Sequence, residues 1–492
     1  MRLALVNVSY PLNEDVDSIV FSPGKGVLYA GREEGVRRFE PVKVLDVDQR
    51  LVVPGMTDAH MHLYSTAISR GRLDLRGVRS LEELREQVRR AVLSAGKGEW
   101  VVGRGWDQDK MSEKRFPTRH DIDDVSRDNP VLLVRVCGHA ALLNTKAMKI
   151  LGLLEPSVEG GKFIHVEDGK PTGIIFEDLV GYALSKIPPP PAERVKSLVK
   201  TLLSEYLSYG VTSLHSMSSS RSELELVKSL KESGEFIQEY RAYIDYQSFL
   251  EGVHRHYPDL VQGVKIFADG SLGARTAALR ERYSDGETSG SLLLTAEKIA
   301  EIAAEAAGEG LETAVHAIGD RAVEEALKAS RRAAGKLRVE HASVTPPDLL
   351  EVVAELRPRL SVQPHFVLSD TWIAERLGER TKWVYAYKSL LSTGATVMGS
   401  SDSPVEPINP WLGIYAAVHR GAIEGLAIHD YTWFESLSFE EALTLYVSDP
   451  SARRSLVVLN VRSTPRSLQE FQEVRAEVAL LPTGLTRVSK DQ

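Results

Sequence analysis

The sequence of 492 residues contains one cysteine, Cys137. A single cysteine cannot form an internal disulfide or a cage of thiolates around a metal ion. This scarcity fits a reducing compartment, and we expect a cytoplasmic protein. It also leaves histidine, aspartate, glutamate and lysine as the side chains that can bind a metal.

Long apolar runs and basic runs are also missing. No stretch approaches the roughly 20 apolar residues that cross a bilayer, and the first residues, which alternate and are soon interrupted by Pro11, do not resemble a signal peptide. The formal net charge of -8 and the absence of a long basic run argue against a nucleic-acid partner. We therefore expect neither a membrane nor a nucleic acid as partner.

The overall composition and the length are typical of a large globular protein. Hydrophobic residues make up 43% and charged residues 26% of the chain, which is ordinary for a soluble fold. The length exceeds one ordinary domain and is sufficient for a (β/α)8 barrel with additional parts.

The segment 51–63 contains the first chemical motif, Asp58 and His60 followed by His62. Alternate side chains of a β-strand lie on one face, so the two histidines point the same way, as two ligands of one metal ion must. A His-x-His pair alone is weak evidence, because two surface or core histidines fit it equally well. Asp58 on the same face and the preceding Pro-Gly strengthen the metal hypothesis.

Strand-like apolar runs recur along the chain and predict an α/β fold built on a (β/α)8 TIM barrel. With the strand before His60 there are eight, the others being 131–136, 211–215, 264–267, 312–316, 337–341, 360–363 and 396–399. Helices are predicted between them at 192–209, 296–307, 320–333 and 346–356. We assign the barrel to 57–452, a large insertion over its mouth to about 71–177, and a small β-sandwich domain to 1–56 plus about 453–492.

Four further candidate ligands lie where barrel strands end, which is where the active sites of such barrels are found. Each has an ordinary explanation when taken alone: a solvated lysine, a hydrogen-bonded histidine or a helix-capping aspartate. Those explanations do not account for the placement of all four residues at strand ends. The four residues are Lys265, His316, His341 and Asp402.

These residue types suit a hydrolytic metal site. Neutral imidazoles and carboxylates bind zinc and can leave a position for water. A buried lysine with a lowered pKa can react with carbon dioxide to give a carbamate, whose two oxygens can bridge two ions. A carboxylate beside the water can take its proton and pass it to a leaving group, and Asp402 fits that role.

Several longer segments make the sequence similar to the branch of the amidohydrolase superfamily typified by N-substituted formamide deformylase. The similarity covers roughly 60–452. The segments are Gly-Trp-Asp at 105–107, Cys-Gly-His at 137–139 with Asn144, Gly-Gly-Lys at 160–162, Pro-Thr-Gly-Ile-Ile-Phe-Glu at 171–177, Ala-Asp-Gly-Ser-Leu-Gly-Ala-Arg-Thr-Ala at 268–277, His-Ala-Ile-Gly-Asp-Arg-Ala at 316–322 and Ser-Asp-Ser-Pro-Val at 401–405.

The resemblance implies a role for each matching position. It implies two zinc ions per chain bridged by carbamylated Lys265, with one ion as the alternative if the lysine is unmodified. The more buried ion takes His60 and His62, the second takes His316 and His341, and Asp402 is both ligand and general base. We expect His365 to contact substrate or stabilise the oxyanion. The substrate-binding or supporting candidates are Trp106, His139, Asn144, His215, Asp269 and Arg275.

One feature of the family has no counterpart here. Members usually close with a Gly-Lys-Ala-Asp stretch and a strand of the small domain, and nothing after Ser451 matches it. Two short strand-like pieces, 455–461 and 475–481, are the candidates for completing that domain by pairing with the N-terminal strands.

The leading hypothesis is a metal-dependent hydrolase of non-peptide C-N bonds, acting on a small N-acyl or N-formyl amide by attack of metal-bound hydroxide. A second hypothesis keeps the fold and changes the bond to a cyclic amide, a ring amine or an ester, because the metal site activates water without choosing the electrophile. A non-catalytic binding protein is disfavoured, because none of the six ligands is missing. A homodimer is left open.

Overall fold

The computed structural model describes residues 2–39, 43–136, 139–155, 164–333 and 337–488. The chain forms two compact units, which we describe separately. The barrel unit is Met1–Thr66 with Val199–Gln492, and the inserted unit is Ala67–Leu198. Among the described residues no helix is both long enough and apolar enough to span a bilayer.

A parallel eight-stranded sheet, nearly closed into a barrel, organises the barrel unit. We number its strands one to eight along the chain. Beyond strand eight, the amide of Asp402 donates to the carbonyl of His60 at 2.7 Å, which joins the end of strand eight to strand one. The predicted barrel is confirmed. Its strands are Met56–Met61, Val211–Met217, Glu239–Asp245, Val261–Phe267, Glu312–Ala317, Leu337–His341, Arg359–Val362 and Thr396–Gly399.

The predicted strand count was right, but one predicted member was wrong. The run 131–136 is not a barrel strand, because Val131–Arg135 belongs to the sheet of the inserted unit. Strand three, Glu239–Asp245, was missed because charged residues interrupt its apolar pattern. Val131–Arg135 reads as a buried run because its sheet is covered on both faces, with Leu133 in one core cluster and Leu132 in another.

Helices follow most barrel strands, as predicted. The helix Phe439–Val447 begins with a capping box between Ser438 and Glu441. The helix that begins at Asp320 has Gly319 as its N-cap. The helices of this unit are Arg221–Glu232, Tyr246–Leu250, Ala296–Gly308, Asp320–Arg332, Pro347–Leu356, Phe366–Ser369, Ile373–Leu377, Tyr387–Ser392, Pro410–His419, Ala427–Thr432, Phe439–Val447 and Leu468–Glu473.

Two four-stranded sheets from the ends of the chain share one hydrophobic cluster within the barrel unit. The C-terminal strands pair with Val52–Pro54 of the N-terminal segment. Leu5 and Phe21 of one sheet and Leu456 of the other lie in the same core. The first sheet contains Leu3–Val6, Ser18–Ser22, Gly26–Gly31 and Lys43–Asp46, and the second contains Val52–Pro54, Leu456–Leu459, Ala476–Leu481 and Gly484–Arg487.

The inserted unit is a six-stranded mixed sheet with helices on its faces. In sheet order the strands are Ile164–Glu167, Lys170–Phe176, Ala140–Leu143, Val131–Arg135, Val101–Trp106 and Leu73–Asp74. The helices that contribute to it are Leu63–Arg70, Leu81–Ser94, Arg119–Ile122, Thr145–Leu151, Asp178–Ser185 and the first turns of Ala192–Ser208. It therefore has its own core, and it extends beyond the predicted insertion at both ends.

Candidate metal centre

The six predicted ligands all lie in the barrel unit, on strands or directly after them. His60 is in strand one and His62 follows it, while Lys265 and His316 lie near the ends of strands four and five. His341 ends strand six, and Asp402 follows strand eight by three residues. The carboxyl ends of parallel barrel strands share one rim, so this placement directs the side chains to a common region.

Three of the six side chains meet closely enough to bind one ion. One potential ligand atom each of His60, His341 and Asp402 lies within 4.8 Å of the others. The Nε2 atoms of His60 and His62 lie 3.3 and 3.2 Å from the same Oδ1 of Asp402. The ring centroid of His316 is 4.5 Å from that of His341. His60, His341 and Asp402 are therefore the group that could hold one ion, while Nε2 of His316 lies 2.9 Å from the carbonyl of Gly270.

The other ring nitrogen of three of these histidines is engaged by a second partner. Nδ1 of His60 is 2.7 Å from Oε2 of Glu340, and Nδ1 of His62 is 2.9 Å from the carbonyl of Met217. Nδ1 of His341 is 2.8 Å from Oε1 of Gln363. These acceptors favour a proton on Nδ1, which leaves the Nε2 lone pair for a metal ion.

Glu340 is itself held by a fully buried arginine. Nε and Nη2 of Arg338 contact its carboxylate, the latter at 3.1 Å. Burial alone would raise the pKa of Glu340, but the Arg338 guanidinium and His60 hold it well below its usual value. Glu340 is therefore an anion that fixes the His60 ring. Its neighbour His341, the last residue of strand six, adopts a left-handed backbone with φ 72°, which is uncommon for a residue with a side chain.

The charge states fit a cation. Burial would raise the pKa of Asp402, yet His60 and His62 hold it well below its usual value, so Asp402 is a carboxylate. Burial, with Lys265 nearby, lowers the pKa of His316 to about 3, and burial lowers that of His341 well below its ordinary value. The two imidazoles are therefore neutral, as metal ligands must be.

Lys265 is the least satisfied group of the cluster. It is fully buried, and Nζ has no hydrogen-bond partner among the described residues. Burial lowers the pKa of Lys265 to about 8, although Glu340 and Asp402 act in the opposite direction. A buried amine without a partner is costly, whereas a carbamate binding a cation would satisfy the position. The donor set as a whole therefore fits a divalent metal.

His365, the predicted oxyanion residue, follows strand seven and is paired with a carboxylate. Its Nδ1 makes a short contact with Oε2 of Glu406, whose other oxygen accepts from Ser369. The His365 side chain is 20% exposed and that of Glu406 is 7% exposed. Glu406 was not predicted from the sequence, although it lies only four residues after Asp402.

His215 and Asp269, predicted as substrate-binding or supporting residues, both have partners within the barrel unit. His215 is fully buried, and its Nδ1 is 3.0 Å from Nη1 of Arg338. Asp269 accepts from the amides of Ala278, Ile318 and Gly319 at 2.8–3.0 Å. It ties together the segments that follow strands four and five, so both residues support the site.

Arg275 is a partly exposed residue on the segment after strand four. Its guanidinium forms a two-pronged pair with Asp285, at 2.9 and 2.8 Å. Asp285 also contacts Arg376. To bind substrate as predicted, the Arg275 guanidinium would have to exchange its contact with Asp285 for the substrate.

The candidates in the inserted unit serve its fold. Trp106 is fully buried and donates from Nε1 to the carbonyl of Leu133 at 2.8 Å. Asn144 caps the helix Thr145–Leu151 and accepts from the amide of Val131 at 3.0 Å. Both side chains are buried within their own unit, and their role in substrate binding stays a prediction.

His139 is exposed in the inserted unit, with Nδ1 3.1 Å from Oε2 of Glu177. Glu177 has a positive φ of 48°, which is unusual for a residue with a side chain. The predicted motif residues 137–138 and 160–162 lie outside the described residues.

Asp58 of the first motif does not join the ligands. Its Oδ1 accepts from the amide of Ser401 at 3.0 Å, and its Oδ2 accepts from the hydroxyls of Ser401 and Tyr206 at 2.5 and 3.2 Å. It therefore anchors strand one to the segment that carries Asp402. A carboxylate two residues before His-x-His was a usable signal, but its partner could not be predicted.

Comparison with known proteins agrees with this geometry. The model described as the amidohydrolase family matches residues 43–456. The chain is 31% identical over 421 residues to YtcJ of Bacillus subtilis (strain 168), a relative named as an amidohydrolase. The match covers 82% of this chain and 79% of YtcJ. N-substituted formamide deformylase of Arthrobacter pascens is 25% identical over 474 residues, covering 89% of this chain and 86% of the relative.

A solved structure extends the similarity to three dimensions. An uncharacterized metal-dependent hydrolase from Pyrococcus furiosus has a TM-score of 0.75 and 36% sequence identity. The match covers 91% of this chain and 93% of that one. The barrel and the additional parts of this chain are therefore shared with a metal-dependent hydrolase.

Proposed function

Because the chain belongs to the amidohydrolase family, whose relatives include metal-dependent hydrolases, we propose that it hydrolyses a non-peptide carbon–nitrogen bond in an N-acyl or N-formyl amide. The observation that carries this proposal is the convergence of His60 and His62 on the Asp402 carboxylate. Similarity to N-substituted formamide deformylase supports the choice of a formyl or acyl amide.

The metal would be held by the side chains described above. We assign His60, His62, His316, His341 and Asp402 as ligands, and zinc as the ion, because imidazoles and a carboxylate suit it. When bound, such an ion lowers the pKa of water and polarises a carbonyl group. Glu340 and Gln363 position two of the imidazoles. The single cysteine supports a cytoplasmic location.

Lys265 would supply the bridge between two ions. Its neutral Nζ attacks carbon dioxide, a nitrogen–carbon bond forms, and one proton leaves to solvent. The product carries one negative charge over two oxygens in place of an ammonium without a partner. Full burial of Lys265 and its orphaned Nζ support this assignment. In Lys265→Met we expect bound zinc to fall from two ions to one per chain, as measured by elemental analysis.

Asp402 is assigned the proton transfers. Its carboxylate takes a proton from the attacking water and passes it to the nitrogen of the leaving amine, so the carboxylate ends as it began. The low pKa of Asp402, maintained by His60 and His62 against the effect of burial, supports a group that is ionised before the reaction.

His365 is assigned to the oxyanion. Glu406 engages Nδ1, which leaves Nε2 of His365 as the ring nitrogen for the oxygen that gains charge during attack. Asp402 and His365 are therefore the two proposed catalytic residues. They follow the neighbouring strands eight and seven, which places the proton carrier and the oxyanion donor on one side of the barrel rim.

The test is Asp402→Asn in zinc-loaded protein, assayed on a panel of formyl amides, acyl amides, cyclic amides, ring amines and esters. We expect turnover of the best substrate to fall by about 10²–10⁴-fold, because the general base is lost. Asp430→Asn, at an exposed position of the same unit, is the matched control. Unchanged turnover in Asp402→Asn contradicts the mechanism, and a cyclic amide or ester as best substrate contradicts the assigned bond.

A further inference from the structure

The inserted unit contains a cavity that the proposed hydrolysis does not use. Its volume is about 1010 Å³, and all its lining residues belong to Ala67–Leu198. Its walls are the helix Leu81–Ser94, the sheet edge around Leu73–Asp74, and the segment from Leu184 to Leu198. Small-molecule pockets in proteins are commonly about 300–1,000 Å³. The space is therefore large enough for a ligand and belongs to one unit.

One wall is a second face of an amphipathic helix. Gln87, Arg90, Ala91 and Ser94 line the cavity, and their spacing of three, four and seven residues places them on one side of the helix. Leu84 and other residues of the same helix face the hydrophobic core. The helix is thus packed on one side and open to the cavity on another.

The opposite wall is apolar and stiff. Ile187 and the four prolines 188–191 line it, and proline fixes the backbone φ so that this wall needs little ordering when a ligand binds. Trp100, Val102 and Leu184 add apolar surface and are only partly buried. The proline run, which leads into the helix Ala192–Ser208, thereby provides a binding wall.

The charges at the cavity are mostly positive. Its lining has four cationic side chains and one acidic side chain, Glu99. Arg90 is paired with Glu86 at 3.0 Å, and Lys97 lies 3.5 Å from Asp128. The other two cations, Arg72 and Arg194, have no carboxylate partner within the described ranges.

We propose that this cavity binds a small amphipathic carboxylate. The apolar chain or ring of the ligand lies against the proline wall and Trp100. The carboxylate pairs with Arg72 or Arg194, whose guanidinium groups can each donate two hydrogen bonds to it. A neutral apolar ligand would leave these cations without a partner, and an amine would be repelled by them. The proposal does not depend on the assigned hydrolytic reaction.

The test is isothermal titration calorimetry of the full chain with octanoate, and with 1-octanol as a neutral comparator. We expect one saturable site for octanoate with a Kd below about 1 mM, and binding of 1-octanol at least roughly tenfold weaker. Absence of saturable octanoate binding at millimolar concentration overturns the proposal, and so does equal binding of the two compounds.

Variants locate the binding. Arg194→Glu and Arg72→Glu are expected to weaken octanoate binding by roughly tenfold or more in at least one case, because a charged hydrogen bond is lost and a repulsion is added. Arg104→Glu, an exposed residue of the same unit outside the cavity, is the charge control. Unchanged affinity in both cavity variants overturns the assignment.

Filling the cavity is an independent test. Ala91→Trp occupies the space, and the control Leu93→Trp alters an 80% exposed position on the same helix outside the cavity. We expect Ala91→Trp to abolish octanoate binding and Leu93→Trp to retain it, with circular dichroism confirming the fold of both. Equal binding by the two variants overturns the location.

Discussion

The two units differ in the polar side chains that they bury. Among the described residues of the inserted unit, the buried polar side chains are Ser126, Asn129, Asn144 and Thr172, and none is charged. The barrel unit buries lysine, arginine, glutamate, aspartate and histidine, with His60, Lys265, Glu340 and His341 near the carboxyl ends of parallel strands. Buried charges are expensive unless they are paired or bind an ion. The buried charges of the barrel unit are therefore the groups that a metal ion would stabilise, whereas the inserted unit is built mainly by apolar packing.

The largest effect is expected where the barrel unit buries an ion pair. Glu340→Gln leaves Arg338 without its anion and replaces the charged acceptor for His60 Nδ1 by a neutral amide. We expect the free energy of unfolding to fall by about 3–5 kcal/mol, and zinc affinity to fall by roughly 10–100-fold. Urea denaturation and competitive chelation measure the two effects.

The control for this change is Glu355→Gln, which breaks a largely exposed pair with Arg331. We expect a change below about 1 kcal/mol there. Equal losses in the two variants would contradict the difference between buried and exposed charges on which the comparison rests.

The next effect is a dependence of stability on pH in the barrel unit. Burial raises the pKa of Asp370 to about 6, so the folded state holds its proton between pH 4 and 6 while the unfolded state releases it. The contribution of this group to stability therefore falls as pH rises through that window and is constant above it. Asp370→Asn should gain stability relative to wild type between pH 4 and 7, by no more than about 3 kcal/mol.

In the inserted unit, the contribution of Asp121 to stability depends on pH in the opposite direction. Asp121 caps a helix and pairs with Arg115 at 2.8 Å, and these bonds lower its pKa although burial acts against them. Its stabilising contribution is present above the ordinary carboxyl pKa and is lost as pH falls. Asp121→Asn should therefore destabilise at pH 7 and have little effect in acid. Parallel pH trends for the two variants in urea unfolding would contradict these assignments.

The smallest effect is expected for a polar residue that the inserted unit buries. Asn144→Ala removes a helix cap and the acceptor for the Val131 amide, and should cost about 1–2 kcal/mol. We expect kcat and KM to remain within about twofold of wild type at temperatures where the variant is folded. A large rise in KM with unchanged stability would instead support the predicted substrate role of Asn144.

The residues of the site that could be predicted are those whose place on a strand can be read from the sequence. His60 and His62 alternate on one strand, and Lys265, His316 and His341 each lie near the end of a strand, so their convergence follows from the barrel. Arg338, Glu340 and Gln363 were not predicted, because their partners lie on other strands and nothing local marks them.

The apolar pattern of the sequence led to two wrong assignments of barrel strands. Val131–Arg135 resembles a barrel strand because both of its faces are buried, and Glu239–Asp245 was overlooked because its charged residues interrupt the apolar run. Trp106 and Asn144 belong to distinctive segments, but a buried cap and a buried indole cannot be told from ligand contacts without the core around them.

The most direct test of the account is a crystal structure of zinc-loaded protein with anomalous data at the zinc edge. We predict a peak bounded by Nε2 of His60, Nε2 of His62 and the carboxylate of Asp402, with a second peak toward His316 and His341 and additional density on Nζ of Lys265. No peak among these side chains, or zinc found only elsewhere, would contradict the account.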